Sequence, residues 1–245
     1  MFRWPKDTAE VNRWFYEFAY REGMTTDLPS ERSLRTLKHG VFAGTDKDFS
    51  EKIELLKAAV PCGRVLDYGC SWGYGTFQLM LAGYDVIGLE ISRSRAEFGR
   101  TKLGLNIVNG FEAIAEMYGS FDAIFASHVL EHLPTLHGIF EQFTALLRPA
   151  GSLIAFVPNG GGRNALRLGP KWGPMCCEKH PLAFDGAFFT RALPQYGFAV
   201  RTFSEPYRVS AIAGATTRPG DLMGDELMVW ARKIDVEPAL VRTEG

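Results

Sequence analysis

The sequence has almost no net charge, few cysteines and no long apolar run. Its 245 residues include 27 basic and 28 acidic side chains, which give a formal net charge of -1. Proteins that bind DNA or anionic membranes in bulk usually carry a clear basic excess, so we expect neither as a partner, and the balance also disfavours RNA. No apolar stretch is long enough to cross a bilayer.

Two further absences indicate the cellular compartment. Four cysteines do not make a disulfide framework in a chain of this length. The N-terminal segment has no apolar core of the kind that a secretory signal needs. We therefore expect a cytoplasmic protein, whose 46% hydrophobic content is that of an ordinary globular chain.

From residue 64 onwards, short apolar runs alternate with helix signals. This alternation predicts an α/β, Rossmann-like fold with a seven-stranded, mostly parallel sheet, helices on both faces and an antiparallel last strand. The predicted strands are 64–68, 85–89, 105–108, 121–126, 152–157, 199–203 and 226–232. The predicted helices are about 47–59, 76–82, 136–147 and 184–196, and one that Ser94 and Glu97 would cap and that ends near Gly104.

The chain divides into a helical cap and one larger domain. Residues 1–60 are predicted to be an aromatic-rich N-terminal helical cap, in which Trp14, Phe15, Tyr16 and Phe18 either pack on the domain or close one side of a pocket. Residues 61–235 are predicted to form the α/β domain, with a lid insertion at about 158–183, and residues 236–245 a C-terminal tail.

The turn after the first predicted strand carries the main functional signal. Asp67 ends an apolar run, Gly69 and Gly73 permit a tight turn, and a helix follows, so the backbone can approach a bound small molecule closely. Ser71 stands where a dinucleotide fingerprint has its second glycine. Glu90, at the end of the second strand, can accept hydrogen bonds from ribose hydroxyls. Nicotinamide and S-adenosylmethionine enzymes both use such an acid, so these residues alone leave the cofactor open.

Four segments in register resemble the class I S-adenosylmethionine-dependent methyltransferases, in their small-molecule branch. They are residues 65–73, 86–92, 121–133 and 146–153. The resemblance implies S-adenosylmethionine as cofactor and S-adenosylhomocysteine as product, and it makes a nicotinamide cofactor the weaker alternative.

The same resemblance assigns positions around the cofactor. Asp67 and Gly69 would lie under the methionine part of the cofactor. Glu90 would bind the ribose hydroxyls, and Ile91 would pack on the adenine. Phe111 would supply backbone N–H and packing at the adenine edge, where the family's usual Asp is absent. The implied cofactor-binding residues are Asp67, Gly69, Cys70, Ser71, Gly73, Glu90, Ile91, Phe111, Ser127 and His128.

Three histidines are candidates for catalysis: His128, His132 and His180. A near-neutral pKa suits a histidine to remove a proton from a hydroxyl acceptor. The string H-x-x-E-H at 128–132 also occurs in zinc proteases, but here it follows a strand and precedes Pro134, so no continuous helix can align it.

A metal site is the alternative for the same region. Some O-methyltransferases that act on vicinal oxygens, such as ubiquinone-pathway and small-RNA 2′-O enzymes, have E-x-x-E-H at this point. The corresponding set here is His128, Glu131, His132 and His180, with a histidine in place of one carboxylate, which weakens affinity for a hard ion. We expect no functional metal, and Glu131 and His132 would instead cap and orient the loop. Cys176 and Cys177 lack the second cysteine pair of a structural zinc site.

The acceptor is predicted to be a small molecule, most simply a sugar or secondary-metabolite hydroxyl. The lid carries Arg163, Arg167, Lys171 and Lys179 against Glu178, which would suit a phosphate-bearing acceptor or simply a solvated loop. The alternatives are a metal-assisted 2′-O-type RNA methyltransferase and a non-catalytic protein that binds the cofactor. The sequence makes no prediction of oligomeric state.

Overall fold

A computed structural model describes residues 8–15, 27–176, 180–214 and 222–234. Seven strands form one sheet in the order β3-β2-β1-β4-β5-β7-β6. Their bounds are β1 Arg64–Tyr68, β2 Asp85–Glu90, β3 Ile107–Asn109, β4 Phe121–Ser127, β5 Leu147–Pro158, β6 Phe198–Ser204 and β7 Glu226–Lys233. The predicted fold class is confirmed.

Ten helices lie among the described residues. Their bounds are α1 Ala9–Trp14, α2 Glu31–His39, α3 Ser50–Ala59, α4 Tyr74–Leu81, α5 Arg93–Leu103, α6 Ile139–Leu146, α7 Arg163–Leu168, α8 Gly173–Cys176, α9 Gly186–Ala192 and α10 Val209–Gly214. Within the described ranges, no helix has the length and apolar character needed to cross a membrane.

Strands β1 to β5 run parallel, and β7 lies between β5 and β6 and is antiparallel to both. The antiparallel pairing of the last two strands is therefore confirmed. β1 lies between β2 and β4, so Val65 faces Val86 on one side and Ala123 on the other. Residues 123–126 of β4 and 153–157 of β5 are continuous apolar runs that helices cover on both faces, and Phe125 and Phe156 are fully buried.

The predicted start of α5 is wrong. The helix begins at Arg93 with Ser92 as its N-cap residue, and no side-chain cap is formed there. The reason is Glu90, whose Oε1 accepts the backbone N–H of Ser92 at 2.7 Å. The chain is thereby turned into the helix before Ser94, which lies inside it. The helix ends as predicted, with Gly104 in the left-handed conformation.

Other boundaries move for local reasons. α3 begins at Ser50, three residues later than predicted, where Asp48 Oδ1 accepts the backbone N–H of Ser50 at 2.9 Å. The segment between β6 and β7, for which no helix was predicted, contains the short helix α10. The predicted helix 184–196 divides into α9, capped by Asp185, and a 3-10 turn over Leu193–Tyr196 that contains a proline.

Trp72 anchors the first turn in the hydrophobic core. Its side chain is fully buried, and its ring contacts those of Phe42, Tyr74 and Phe98 at centroid distances of 5.9, 5.1 and 5.7 Å. This bulky residue thus packs the turn against α5 and the segment after α2. This packing fixes the position of the residues that precede it.

The N-terminal cap is described in part. Trp14 is 59% exposed and is not among the described residues that line the cleft introduced below. Tyr16 and Phe18 lie outside the described residues, as does the predicted tail. The domain boundaries stay predictions.

Candidate active site

A cleft of about 440 Å³ opens at the carboxyl ends of the parallel strands. This is where open α/β sheets bind ligands, because the loops diverge where the strand order reverses. The lining comes from the segment before α3, the turn after β1, the starts of α4 and α5, the ends of β2, β4 and β5, the loop after β4, and the predicted lid. The lining residues are Asp46, Lys47, Gly69, Ser71, Tyr74, Glu90, Ile91, Arg95, Ser127, His128, Val129, Glu131, His132, Leu133, Pro158, Pro174 and His180.

Gly69 forms the floor of the cleft. Its φ of +77° lies in the left-handed region, and its N–H donates to the carbonyl of Leu89 at 2.8 Å. A Cβ at this position would lie 2.7 Å from Cγ2 of Val129. Both the backbone conformation and the lack of space therefore require glycine here.

Asp67 lies beneath this turn and does not line the cleft. The carboxylate is 3% exposed, and Oδ2 accepts a hydrogen bond from Oγ1 of Thr76 at 2.7 Å. Burial raises the pKa of Asp67 to about 7, against the opposing effect of the Thr76 hydrogen bond. Any role that Asp67 has toward a ligand is thus exerted through the turn above it.

Cys70, Gly73 and Phe111 also stay outside the cleft lining. Burial raises the pKa of the Cys70 thiol well above its usual range. Gly73 is the N-cap residue of α4 at φ +90°. Phe111 packs against Tyr68 at a ring distance of 5.9 Å. Their predicted contacts with the cofactor stay predictions.

Glu90 is held by two backbone donors. Oε2 accepts the N–H of Ser71 at 2.8 Å and Oε1 accepts the N–H of Ser92 at 2.7 Å. Asn109 supports the same loop, since its Nδ2 donates to the carbonyls of Glu90 and Ile91 at 2.8 and 3.0 Å. Burial raises the pKa of Glu90, although the hydrogen bonds from the backbone N–H groups of Ser92 and Ser71 oppose the rise. The acid is thus fixed in orientation at the edge of the cleft, beside Ile91.

His128 follows β4 in a left-handed conformation, with φ +54°. Its Nδ1 lies 3.1 Å from Oε1 of Glu131 and its Nε2 lies 2.5 Å from Oε2 of Glu226. Burial lowers the pKa of the imidazole, but hydrogen bonds to the two carboxylates outweigh this effect and raise it to about 9. His128 therefore carries a proton at neutral pH in this arrangement, which argues against its role as a base.

Glu226, the first residue of β7, joins His128 to distant parts of the chain. Its carboxylate also accepts hydrogen bonds from Nζ of Lys52 at 2.8 Å and from the hydroxyl of Tyr207 at 3.0 Å. Burial raises the pKa of Glu226, but His128 and Lys52 outweigh this effect and lower it to about 2. Nζ of Lys52 also donates to Oγ of Ser127 at 3.0 Å. Sequence reasoning missed Lys52, Tyr207 and Glu226. The one available signal was the position of Glu226, an acid at the start of an apolar run.

Glu131, His132 and His180 converge on the cleft. Each offers a ligand atom, and these atoms all lie within 4.8 Å of one another. The rings of His132 and His180 meet edge to face at 4.6 Å. Nδ1 of His180 lies 2.9 Å from the carbonyl of Pro174. Since a carbonyl only accepts, Nδ1 carries the proton in the neutral imidazole, which leaves the lone pair on Nε2.

This cluster could hold a divalent cation. Among the described residues, Oε2 of the buried Glu131 has no hydrogen-bond partner. One carboxylate and two imidazoles suit zinc or another late first-row ion better than magnesium. His128, the fourth ligand of the alternative drawn from the sequence, does not fit the set, because both of its ring nitrogens contact carboxylates.

The described basic residues of the predicted lid do not line the cleft. Arg163, Arg167 and Lys171 are exposed and do not line the cleft, to which the lid contributes Pro158, Pro174 and His180. Lys179 and Glu178 lie outside the described residues, as do Cys177 and the side chain of Cys176. The solvated-loop interpretation is favoured for the three described basic side chains.

Comparison with known proteins gives concordant results. Residues 30–202 match the family described as "Methyltransferase domain". A ubiquinone biosynthesis O-methyltransferase of Bordetella avium is 28% identical over 185 residues, which cover 72% of this chain and 70% of that protein. The protein of the same name from Xanthomonas campestris is 28% identical over 110 residues, or 42% of this chain and 46% of its own length. A SAM-dependent methyltransferase structure from Archaeoglobus fulgidus has a TM-score of 0.56 at 18% identity, and covers 83% of this chain and 100% of that one.

Proposed function

Since the chain belongs to the methyltransferase-domain family and is a class I S-adenosylmethionine-dependent methyltransferase, we propose that it methylates a hydroxyl group of a small molecule. The convergence of His132, His180 and Glu131 on the cleft carries the proposal. These side chains follow β4 or come from the predicted lid, and they line the cleft together with Ser127, one of the implied cofactor-binding residues. They are groups that can accept a proton from a hydroxyl or orient it.

Bound S-adenosylmethionine supplies an activated methyl group, so the protein has only to align the acceptor and take up its proton. In the proposed step the acceptor oxygen forms a bond to the methyl carbon, the sulfur–methyl bond breaks, and S-adenosylhomocysteine leaves. We assign the proton to Nε2 of His180, with His132 as its neighbour. His128, held as an imidazolium between two acids, would orient Glu131 instead.

Glu90 is assigned to the ribose hydroxyls. The support is its fixed carboxylate at the edge of the cleft, with Ile91 beside it for adenine. Replacing Glu90 with Ala should weaken S-adenosylhomocysteine binding by about 1–3 kcal/mol, because charge-assisted hydrogen bonds to hydroxyls are lost. Unchanged affinity in calorimetry would mean that the ribose lies elsewhere.

The test of the reaction is a panel assay. Purified protein and S-adenosylmethionine are incubated with phenols, catechols, sugars and nucleotide-linked sugars, and S-adenosylhomocysteine is quantified. His180→Ala should lose at least about a hundredfold in turnover if it is the base and keep its affinity for S-adenosylhomocysteine. His137→Ala, which removes an exposed imidazole outside the cleft lining, is the control. Turnover that His180→Ala leaves intact would remove His180 from the proposal.

A metal-assisted reaction is the second candidate, and the partnerless Oε2 of Glu131 favours it. A cation held by Glu131, His132 and His180 would lower the pKa of a bound hydroxyl and could replace a protein base. The tests are metal analysis of the purified protein and the panel assay with and without EDTA. Equal rates and a metal-free protein would eliminate this candidate.

Two further outcomes separate the remaining alternatives. Labelled methyl groups retained with total RNA in a filter assay would favour the RNA 2′-O-type alternative. Binding of S-adenosylhomocysteine without turnover on either the panel or RNA would favour a non-catalytic role.

A further inference from the structure

We propose that Arg95 is a positioning residue for cofactor binding, and that it acts through Ser71 to hold Glu90 in place. The inference rests on the proposed contact of Glu90 with the ribose. Arg95 belongs to the first turn of α5 and is 7% exposed, yet it lines the cleft together with Ser71 and Glu90. A nearly buried guanidinium at a ligand cleft needs a structural or functional reason, because burial of a charge is costly unless it is paired and hydrogen-bonded.

Ser71 gives the geometric reason. Its φ is +54°, in the left-handed region that glycine adopts readily and that costs a residue with a Cβ free energy. Contacts with two described side chains help to hold Ser71 in this conformation. Nη1 of Arg95 donates to Oγ of Ser71 at 3.0 Å, and the N–H of Ser71 donates to Oε2 of Glu90 at 2.8 Å. The three residues form a chain of contacts in which Ser71 is the link.

The other neighbours of Glu90 show what Arg95 adds. Oε1 of Glu90 is fixed by Ser92, whose N–H lies two residues away in sequence. Oε2 depends on Ser71, which is 19 residues away and in a strained conformation. Arg95 therefore secures the half of the carboxylate that local structure leaves unsecured. The charge of Arg95 also favours the ionised carboxylate, which is the better acceptor for hydroxyls.

The first experiment measures the dissociation constant of S-adenosylhomocysteine by calorimetry. Arg95→Gln should weaken binding by about tenfold, as expected when one charge-assisted hydrogen bond is lost. Arg95→Lys, which keeps a donor and the charge, should recover part of the loss. Arg93→Gln, the same change at an exposed position in the same helical turn, should bind like the unmodified protein. Equal affinity of Arg95→Gln and the unmodified protein would overturn the inference.

The second experiment tests the route through Ser71. Ser71→Ala removes Oγ but keeps the strained backbone, so it should weaken binding about as much as Arg95→Gln, and the double variant should be no weaker than either single one. Ser71→Gly also removes Oγ, but it adopts the left-handed conformation without strain, so it should lose less affinity than Ser71→Ala. In that background, Arg95→Gln should have little further effect, and a full loss there would show that Arg95 contacts the cofactor directly. If Arg95→Gln does not fold, the contrast between the Ala and Gly variants still decides.

The third experiment uses 5′-methylthioadenosine, which keeps the adenine and ribose and lacks the amino acid part. If Arg95 acts through Glu90, Arg95→Gln should weaken the binding of this probe by the same factor as the binding of S-adenosylhomocysteine. A loss confined to S-adenosylhomocysteine would place Arg95 at the amino acid part and overturn the inference. If Glu90→Ala leaves affinity unchanged, the ribose assignment fails. If Glu90→Ala weakens binding and Arg95→Gln does not, the inference about Arg95 alone fails.

Discussion

Replacing His128 with Asn should change the pH dependence of stability in a defined window. The folded-state pKa of His128 is raised from 6.5 to about 9 by hydrogen bonds to Glu131 and Glu226, which outweigh burial. A raised histidine pKa contributes stability that is fully present below the unfolded value, near 6.5, and is lost as the pH rises through 9. The stabilising contribution of the His128–Glu226 pair is also lost at low pH. The pKa of Glu226 is lowered from 4.5 to about 2, so its contribution is lost progressively as the pH falls from about 4.5 through 2.

The size of the pH-dependent change in stability follows from the pKa shift of His128 and from the exposed fraction of its side chain. One pKa unit corresponds to about 1.4 kcal/mol, so a rise from 6.5 to about 9 sets an upper limit of about 3 kcal/mol. The side chain of His128 is 44% exposed. Solvent screening should therefore reduce the pH-dependent contribution to about 1–2 kcal/mol.

The assay is urea unfolding of the cofactor-free protein at pH 6, 7.5 and 9.5, with EDTA present to exclude a bound cation. The difference in the free energy of unfolding between the unmodified protein and His128→Asn should be largest at pH 6 and should shrink by about 1–2 kcal/mol by pH 9.5. A pH-independent offset is expected as well, because the variant leaves two acids without their partner. His137→Asn serves as the control. Parallel curves for the unmodified protein and His128→Asn across this range would refute the reasoning.

Two further predictions concern the turn after β1. Gly88→Ala should lower the free energy of unfolding by about 1–3 kcal/mol in urea melts, since a Cβ at Gly88 would lie 2.7 Å from Sγ of Cys70. Gly173→Ala, which has open space around it, should stay within about 0.5 kcal/mol, and equal losses would contradict the steric argument. Asp67→Asn should stabilise the cofactor-free protein at pH 8 by up to about 4 kcal/mol and by less at pH 5, because burial raises the pKa of Asp67 from 3.8 to about 7 and the penalty for ionisation grows across that range. A gain in the free energy of unfolding that does not grow with pH would contradict this prediction for Asp67→Asn.

The strands and the first turn were predictable because their causes are local. An apolar run buried on both faces has one stable place in an α/β fold, in the middle of the sheet, and β4 and β5 occupy it. Gly69 is required by the backbone conformation of the turn itself. Where a side chain outside the element enters, the prediction failed: the start of α5 is set by Glu90, which precedes the helix.

The polar network of the cleft could not be predicted for the same reason. Glu226 meets Lys52, which lies 174 residues away in sequence, and His128, which lies 98 residues away. No spacing rule links such residues, because their proximity depends on β7 lying next to β5. His128 and His132 could be found because they follow a recognisable strand end. All three candidate histidines line the cleft, but His128 is held between two acids, whereas the rings of His132 and His180 meet edge to face.

The acids around the cleft differ in how their charge is compensated. Glu131 and Glu226 share the imidazolium of His128, and Glu90 has backbone donors, whereas Asp67 has one hydroxyl donor and a pKa raised to about 7. S-Adenosylmethionine carries a sulfonium charge that S-adenosylhomocysteine lacks. If the methionine part lies over the turn above Asp67, that charge should favour the ionised carboxylate and release a proton on binding. Calorimetry at pH 6.5 in buffers of different ionisation enthalpy should therefore detect more proton release with S-adenosylmethionine than with S-adenosylhomocysteine, and Asp67→Asn should remove the difference. Equal proton release for both ligands would place the sulfonium away from Asp67.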